Sequence, residues 1–387
     1  MSARGRRLLW VMIGVGLGVR LVVAFTTYGV SFDVDAYALV SVALRDDPLQ
    51  VYGDVNRWPY PPGYFAWILL CGKLEALTGL RFADLIQIPS ILADLAIALL
   101  VQQALGWRGA REGTRLAAAA LVALGPSFLV VSGFHGQIDS IAILPALAGV
   151  LLWLRLEDHP RRALAVGLLI GLGALLKTVP LFAVLALLPW ARSVREGAVL
   201  CVSAATLPLM AYAPFVVADP NGVWTAVSYR GVPGAGGLSL VAQPELARGW
   251  MNEGTVDPSW LTFALVDYGG VITAGGLAAV AYLLFRFRPE PVTAAALVYL
   301  ALWVFGVNFF LQYAIWGLPF MLVAGYVREV AALQLIILPA AVLVYLRPWE
   351  APAAAWFFAI VGTLLWAVFA AWFVVLARRT ARTPKSA

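Results

Sequence analysis

The sequence predicts an all-α polytopic membrane protein, and three observations predict it. Of 387 residues, 62% are hydrophobic and 12% charged, with a mean hydropathy of +0.86. A soluble domain typically carries about 25% charged residues. The apolar segments are too long and too unbroken for a barrel, whose strands alternate in polarity. The net charge of +6 is carried in short basic clusters between apolar stretches. That pattern is a topological signal and excludes nucleic acid as the expected partner in favour of the lipid bilayer. Cys71 and Cys201 lie far apart in apolar stretches and read as small buried hydrophobes.

Taken in order, the first span covers about 8–28, with Arg4, Arg6 and Arg7 before it and no A-x-A-like cleavage site after it. It reads as an anchor with a cytoplasmic N-terminus. The first external loop, 29–83, opens with Ser31-Phe32-Asp33-Val34-Asp35 and closes around Tyr60-Pro61-Pro62. Within it, Ala36, Leu39, Val40 and Ala43 recur at helical spacing, so 35–45 is expected as an amphipathic surface helix. The stretch 64–79 carries Lys73 and Glu75 and reads as a helix on the outer face, not a crossing. Spans two to four are expected near 84–105, 115–133 and 138–154, and spans five and six near 163–176 and 179–191. Span seven (197–217) leads to the second long external loop, 218–260, and spans eight to twelve follow near 261–285, 291–307, 313–327, 330–346 and 353–377. The whole, 1–387, reads as a single integral membrane domain with about twelve spans.

This alternation puts every short basic loop on one side, the side of both termini. Merging spans five and six, or making 64–79 a crossing, destroys that bias. One consequence is independent of it: Asp33, Asp35, Tyr60, His135, Gln137, Asp139, Lys177, Tyr229, Arg230, Asn308, Gln312 and Tyr313 all fall at the opposite boundary. Polar groups at a membrane are costly and mark function. A site open to the outside is expected, roofed by the two long loops.

Each candidate has a plainer reading beside the functional one. Asp33 is a catalytic carboxylate or a surface charge. Asp35 is its partner or the N-cap of the surface helix. Two residues apart, they point in different directions on regular structure. His135, followed by Gly136, Gln137 and Asp139, contacts a phosphate or sugar, or holds structure by hydrogen bonding. Lys177 binds phosphate or reaches the outer headgroups. Arg230 is a phosphate clamp, its planar fork suited to phosphate oxygens, or a solvated loop charge. Asp94, within span two, reads as an interhelical hydrogen-bonding group. Asn308, Gln312, Tyr313 and Trp316 mix amides and stacking faces as sugar sites do, or form an interfacial aromatic belt. The phosphate-loop, G-x-S-x-G and H-E-x-x-H patterns are absent from the sequence. No internal repeat of the transporter kind is evident.

These motifs resemble those of the GT-C superfamily of membrane glycosyltransferases that use polyprenyl-phosphate sugars. Phe32-Asp33-Val34-Asp35-Ala36-Tyr37 is similar to the acidic motif of the first external loop in that group, including the DxD of the GPI mannosyltransferase that adds the first mannose. The stretch from Arg57 to Trp67 and the span after it resemble the YPP segment of the dolichyl-phosphate-glucose glucosyltransferases. The segments His135–Ser140, Lys177–Pro180, Ser228–Gly231 and Leu311–Phe320 resemble counterparts in bacterial polyprenyl-phosphate-mannose mannosyltransferases. The His135 segment departs from the glucosyltransferase pattern, which leaves the sugar open.

The resemblance implies a GT-C-type bundle with amphipathic helices in its external loops. It implies inverting transfer of a hexose, mannose first, from a polyprenyl-phosphate donor to a glycolipid or glycan acceptor in cell-envelope glycan assembly. The place would be the external face of a bacterial plasma membrane. Asp33 would be the base and Asp35 would orient it; Arg230, then Lys177 and His135, would meet the donor phosphate. Tyr60, Gln137, Asp139, Tyr229, Asn308, Gln312, Tyr313 and Trp316 would bind substrate. A divalent cation at Asp33 and Asp35 is left open. A flippase for lipid-linked saccharides and a non-catalytic subunit of a glycan-assembly complex are the competing readings.

Overall fold

The computed structural model describes residues 1–55, 57–251, 254–342 and 353–382. All regular structure among them is helical. Six helices are long and apolar enough to cross a membrane, at Ala3–Thr26, Phe82–Trp107, Glu112–His135, Val194–Ala218, Gly269–Phe287 and Ala354–Arg382. Shorter apolar helices occupy Arg162–Ala174, Val179–Trp190, Pro291–Phe305 and Leu311–Val323. The end of the expected eleventh span, the loop after it and the last residues of the basic tail lie outside the described residues. The chain forms two compact units, 1–184 with 191–229, and 185–190 with 230–387.

In the first unit we label α1 (Ala3–Thr26), α2 (Ser31–Asp46), α3 (Phe65–Thr78), α4 (Ile88–Trp107), α5 (Glu112–Ala123), α6 (Asp139–Arg155), α7 (Arg162–Ala174) and α8 (Val194–Ala218). Helices α1, α4, α5 and α6 pack side by side, and α7 packs between α6 and α8. Gly167 and Gly171 bring α7 against α8: a Cβ at either would lie 2.7 Å from a backbone carbonyl, Leu200 or Ala204. Small residues four apart give such close approach between apolar helices. Cys71 is buried as expected, whereas Cys201 is exposed on α8.

Contacts sort the ends of these helices into two groups. At one end Ser2 donates its backbone N–H to Glu112 at 2.6 Å, Arg155 lies 4.0 Å from the Trp107 ring, and Arg162 pairs with Glu196 at 2.8 Å. These are the arginine-rich turns. At the other end Arg81 bonds the last carbonyls of α1 (Phe25, 2.8 Å), and Tyr60 meets Gln137. Helix α3 belongs to that second end throughout: Tyr64 bonds Ile86 O at 2.6 Å and Glu75 accepts from Phe82 N at 2.9 Å. Its fourteen residues reach about 21 Å, short of a hydrocarbon core about 30 Å thick.

The second unit is built round α10 (Pro291–Phe305), which is buried on all sides from Ala294 to Val304. A helix apolar all round belongs at a centre. It packs against α9 (Gly269–Phe287) and α12 (Ala353–Arg382), and α11 (Val327–Ala341) packs on α12. The second long loop contains short helices at Pro220–Val227 and Gly237–Ala242.

Candidate functional site

The surface helix begins earlier than its apolar spacing suggests. Helix α2 starts at Ser31 with Val30 as its cap residue, and no side chain caps it. Asp33 therefore sits in its first turn, where the positive helix end favours a carboxylate. Asp35 is not an N-cap. Its carboxylate accepts from Tyr28 Oη at 2.7 Å, and that bond, then burial, then the Asp35 charge hold the Tyr28 hydroxyl above the usual phenol range. The two carboxylates diverge, as a helix requires.

Asp33 turns the other way. Its Oδ2 lies 2.5 Å from His135 Nε2. The histidine side chain is 6% exposed and the aspartate 20%, so the aspartate is the more open member of the pair. His135 closes a π-helical turn, Val131–His135, and Gly136 at φ +84° reverses the chain before α6. On the aspartate side, Gly29 at φ +86° lets the α1–α2 link run under that turn: a Cβ there would meet Phe134 O at 2.8 Å.

A second group lies along the same segment. Lys177 Nζ donates to Asp139 Oδ1 at 2.6 Å, both side chains buried, and stands 4.9 Å from the centre of the Tyr60 ring. Lys177 is thus enclosed and charge-matched, not extended to headgroups. Tyr60 Oη donates to Gln137 Oε1 at 3.3 Å, while Tyr52 Oη donates to Tyr60 O at 2.9 Å. The rigid turn after Tyr60 is fastened by Gly63 N–H to Leu175 O at 3.0 Å, close to Lys177 in the chain. Tyr37, one turn after Asp33 on α2, is fully buried. Its hydroxyl is pushed well up by burial and then by Tyr60, Asp33, Tyr64 and Asp139, so it lies near both groups. The Tyr229 hydroxyl is raised by burial and then by the charge of Asp33.

The remaining candidates belong to the second unit. Arg230 pairs with Asp267 at 2.9 Å, with 59% of its side chain exposed, and its carbonyl accepts from Asn308 Nδ2 at 2.7 Å. Gln312 is buried, and Tyr313 stacks on Trp316 at 4.1 Å in a short 3₁₀ turn, Leu311–Trp316, held by Trp303 Nε1 to Tyr313 O at 3.0 Å. The sequence reading groups Asp33 with Asp35 and His135 with the phosphate binders. The structure instead joins Asp33 to His135, and Lys177 to Asp139, Tyr60 and Gln137.

Three residues escape the sequence reading. Tyr37 looks like core. Arg57 lies 4.9 Å over the Phe32 ring, next to Asp33 in the chain, and is exposed. Arg20 pairs with Asp94 at 3.1 Å, both fully buried; a lone arginine in one span and a lone aspartate in another is the signal that could have found it. The interhelical role expected of Asp94 is borne out. Among the described residues no group of three or more His, Cys, Asp or Glu side chains is placed to hold a metal. Asp33 and Asp35 bond different partners, His135 and Tyr28.

A helical membrane protein with a carboxylate–imidazole pair and a buried lysine at one end of its spans has the parts of a group-transfer enzyme. The chain belongs to glycosyltransferase family 87, whose family model matches residues 58–310. The match takes in Tyr60, His135, Lys177, Arg230 and Asn308, and begins after Asp33 and Asp35. No curated protein matches the chain. It is an integral membrane glycosyltransferase, in accord with the GT-C resemblance.

Proposed function

We propose that the protein transfers a hexose, mannose first, with inversion from a polyprenyl-phosphate donor to a glycolipid or glycan acceptor at the external face of a bacterial plasma membrane. The observation that carries this reading is the Asp33–His135 contact at 2.5 Å, with the carboxylate partly open. The acceptor hydroxyl forms its bond to the anomeric carbon as the bond from that carbon to the phosphate oxygen breaks. The hydroxyl proton passes to Asp33, a contribution of about 10²–10⁴-fold. His135 orients that carboxylate. Lys177 and Asp139, as a matched pair, fix Tyr60 and Gln137 to receive sugar hydroxyls.

The leaving phosphate gains negative charge and needs a preorganised cation; Arg230 is the first choice, with Tyr229, Asn308, Gln312, Tyr313 and Trp316 lining the substrate. Asp35 orients acceptor or base. A monophosphate leaving group does not strictly need a metal, and a divalent cation, if one takes part, would sit at Asp33 and Asp35.

The proposal has about twelve crossings with both termini cytoplasmic; six of the described helices are long and apolar enough to cross. The separation of arginine-rich turns from the Asp33–His135 end in the first unit supports that sidedness. Purified protein in nanodiscs, given an acceptor extract and radiolabelled polyprenyl-phosphate-mannose, polyprenyl-phosphate-glucose or GDP-mannose, tests the donor. Label should move from polyprenyl-phosphate-mannose and not from the nucleotide sugar. Transfer from GDP-mannose alone would overturn the proposal.

A further inference from the structure

The proposed chemistry leaves unused a fully buried ion pair in the first unit. Arg20 and Asp94 are each 0% exposed and 3.1 Å apart. A charge pair so deep in apolar surroundings loses hydration that its mutual attraction barely repays, and apolar side chains would serve folding as well. What apolar side chains cannot supply is directed bonding. Asp94 Oδ2 accepts from Ser132 Oγ at 2.6 Å, and its Oδ1 accepts from Ser140 Oγ. One carboxylate therefore holds both ends of segment 132–140, which carries His135, Gln137 and Asp139. One turn before it on α4, Ser90 Oγ donates to Gln137 O at 2.6 Å and fixes the middle.

Arg20 completes the frame. Its guanidinium donates to Ser132 Oγ at 3.0 Å, to Val122 O at 3.0 Å and to Ala123 O. The last two are carbonyls at the end of α5, which lack helical partners and need donors. The π-helical turn it touches is a rare conformation found at functional sites. Gly133 lets that turn pack closely on α1, since a Cβ there would lie 3.2 Å from Arg20 Cα, tighter than ordinary contact. Arg20 is also on α1, which leads directly into Asp33. The same pair thus ties the element before Asp33 to the element ending in His135.

We propose that Arg20 and Asp94 are positioning residues that hold the His135 turn in register with Asp33. This rests on Asp33 and His135 as the reacting pair. The test uses the full chain in nanodiscs with ¹⁵N-imidazole histidine. The chain has two histidines, so His159→Asn assigns the His135 signal, and Asp33→Asn gives its value without the carboxylate. Two variants are compared: Arg20→Met/Asp94→Leu, which removes both charges and the acceptors, and Ser132→Ala/Ser140→Ala, which keeps the ion pair.

In the charge-free variant the protein should remain folded, with a thermal midpoint lowered because the Val122 and Ala123 carbonyls lose their donor. Its His135 signal should move to the Asp33→Asn value, and kcat should fall about 100-fold, with donor KM changed less than about threefold. The serine variant should move both readouts in the same direction. A folded variant of either kind with an unmoved His135 signal and near-wild-type kcat overturns the proposal. If the charge-free variant does not fold, the serine variant decides by the same two readouts. The spectrum is independent of turnover. A wild type that transfers no sugar would sink the functional reading while the His135 signal still judges this inference.

Discussion

A carboxylate that meets an imidazole at 2.5 Å is held in one orientation, and a base so held needs no reorganisation when the acceptor arrives. Asp33→Asn should lower kcat by about 10²–10⁴-fold with donor binding kept, measured by steady-state transfer in nanodiscs; near-wild-type transfer would remove Asp33 as base. Asp35 accepts from Tyr28 Oη and faces away from His135, so Asp35→Asn should cost far less. His135→Asn should lower kcat as well, and the Asp33→Asn/His135→Asn double variant should be no slower than Asp33→Asn alone. Residues that act as one unit are non-additive in this way, and a product of the two single effects would mean separate roles. At this scale the sequence shows which residue types gather at the boundary but not who pairs with whom. Asp33 and His135 are far apart in the chain, and neither spacing nor charge fixes their contact. Lys177 reads equally well as a headgroup anchor until Asp139 and Tyr60 are seen around it.

Elements place these residues through a few backbone constraints and one aromatic cluster. Gly29 takes a left-handed conformation and lies under the Phe134 carbonyl. Gly29→Ala should cost about 1–2 kcal/mol from the conformation alone and should lower kcat, because the link it shapes leads into Asp33. Equilibrium unfolding and transfer assays check the two effects separately. Trp58, 1% exposed, packs edge-on to Tyr37 at 5.4 Å and to Tyr60 at 5.1 Å. Trp58→Ala should destabilise by about 3–5 kcal/mol, visible as a lower thermal midpoint; an unchanged midpoint would show the cluster adds nothing. Helical periodicity makes α2 legible from Ala36 to Ala43, yet the helix starts at Ser31, four residues before the expected 35–45. Polar Ser31 and Asp33 break the apolar pattern while still forming the first turn. The π-helical turn at His135 left no sequence signal, since it arises from packing against Arg20 and not from local propensity.

For the molecule as a whole, composition made the helical membrane class legible, and the basic clusters gave an alternation that the first unit's end-to-end contacts repeat. Membranes restrict spanning structure to so few choices that hydropathy carries much of the fold. The broken helices carried less: Leu311–Val323 combines a 3₁₀ turn with a short helix around Gly317, and its crossing cannot be counted by length. The central claim is that the Asp33–His135 pair opens to the side opposite the arginine-rich turns. It is tested most directly with Ser31→Cys, exposed at the start of α2, in a chain whose Cys71 and Cys201 are replaced by alanine. A membrane-impermeant maleimide applied to intact cells should label residue 31 fully and leave a control cysteine at Arg108 unlabelled until the cells are permeabilised. Labelling of residue 31 only after permeabilisation would contradict the account.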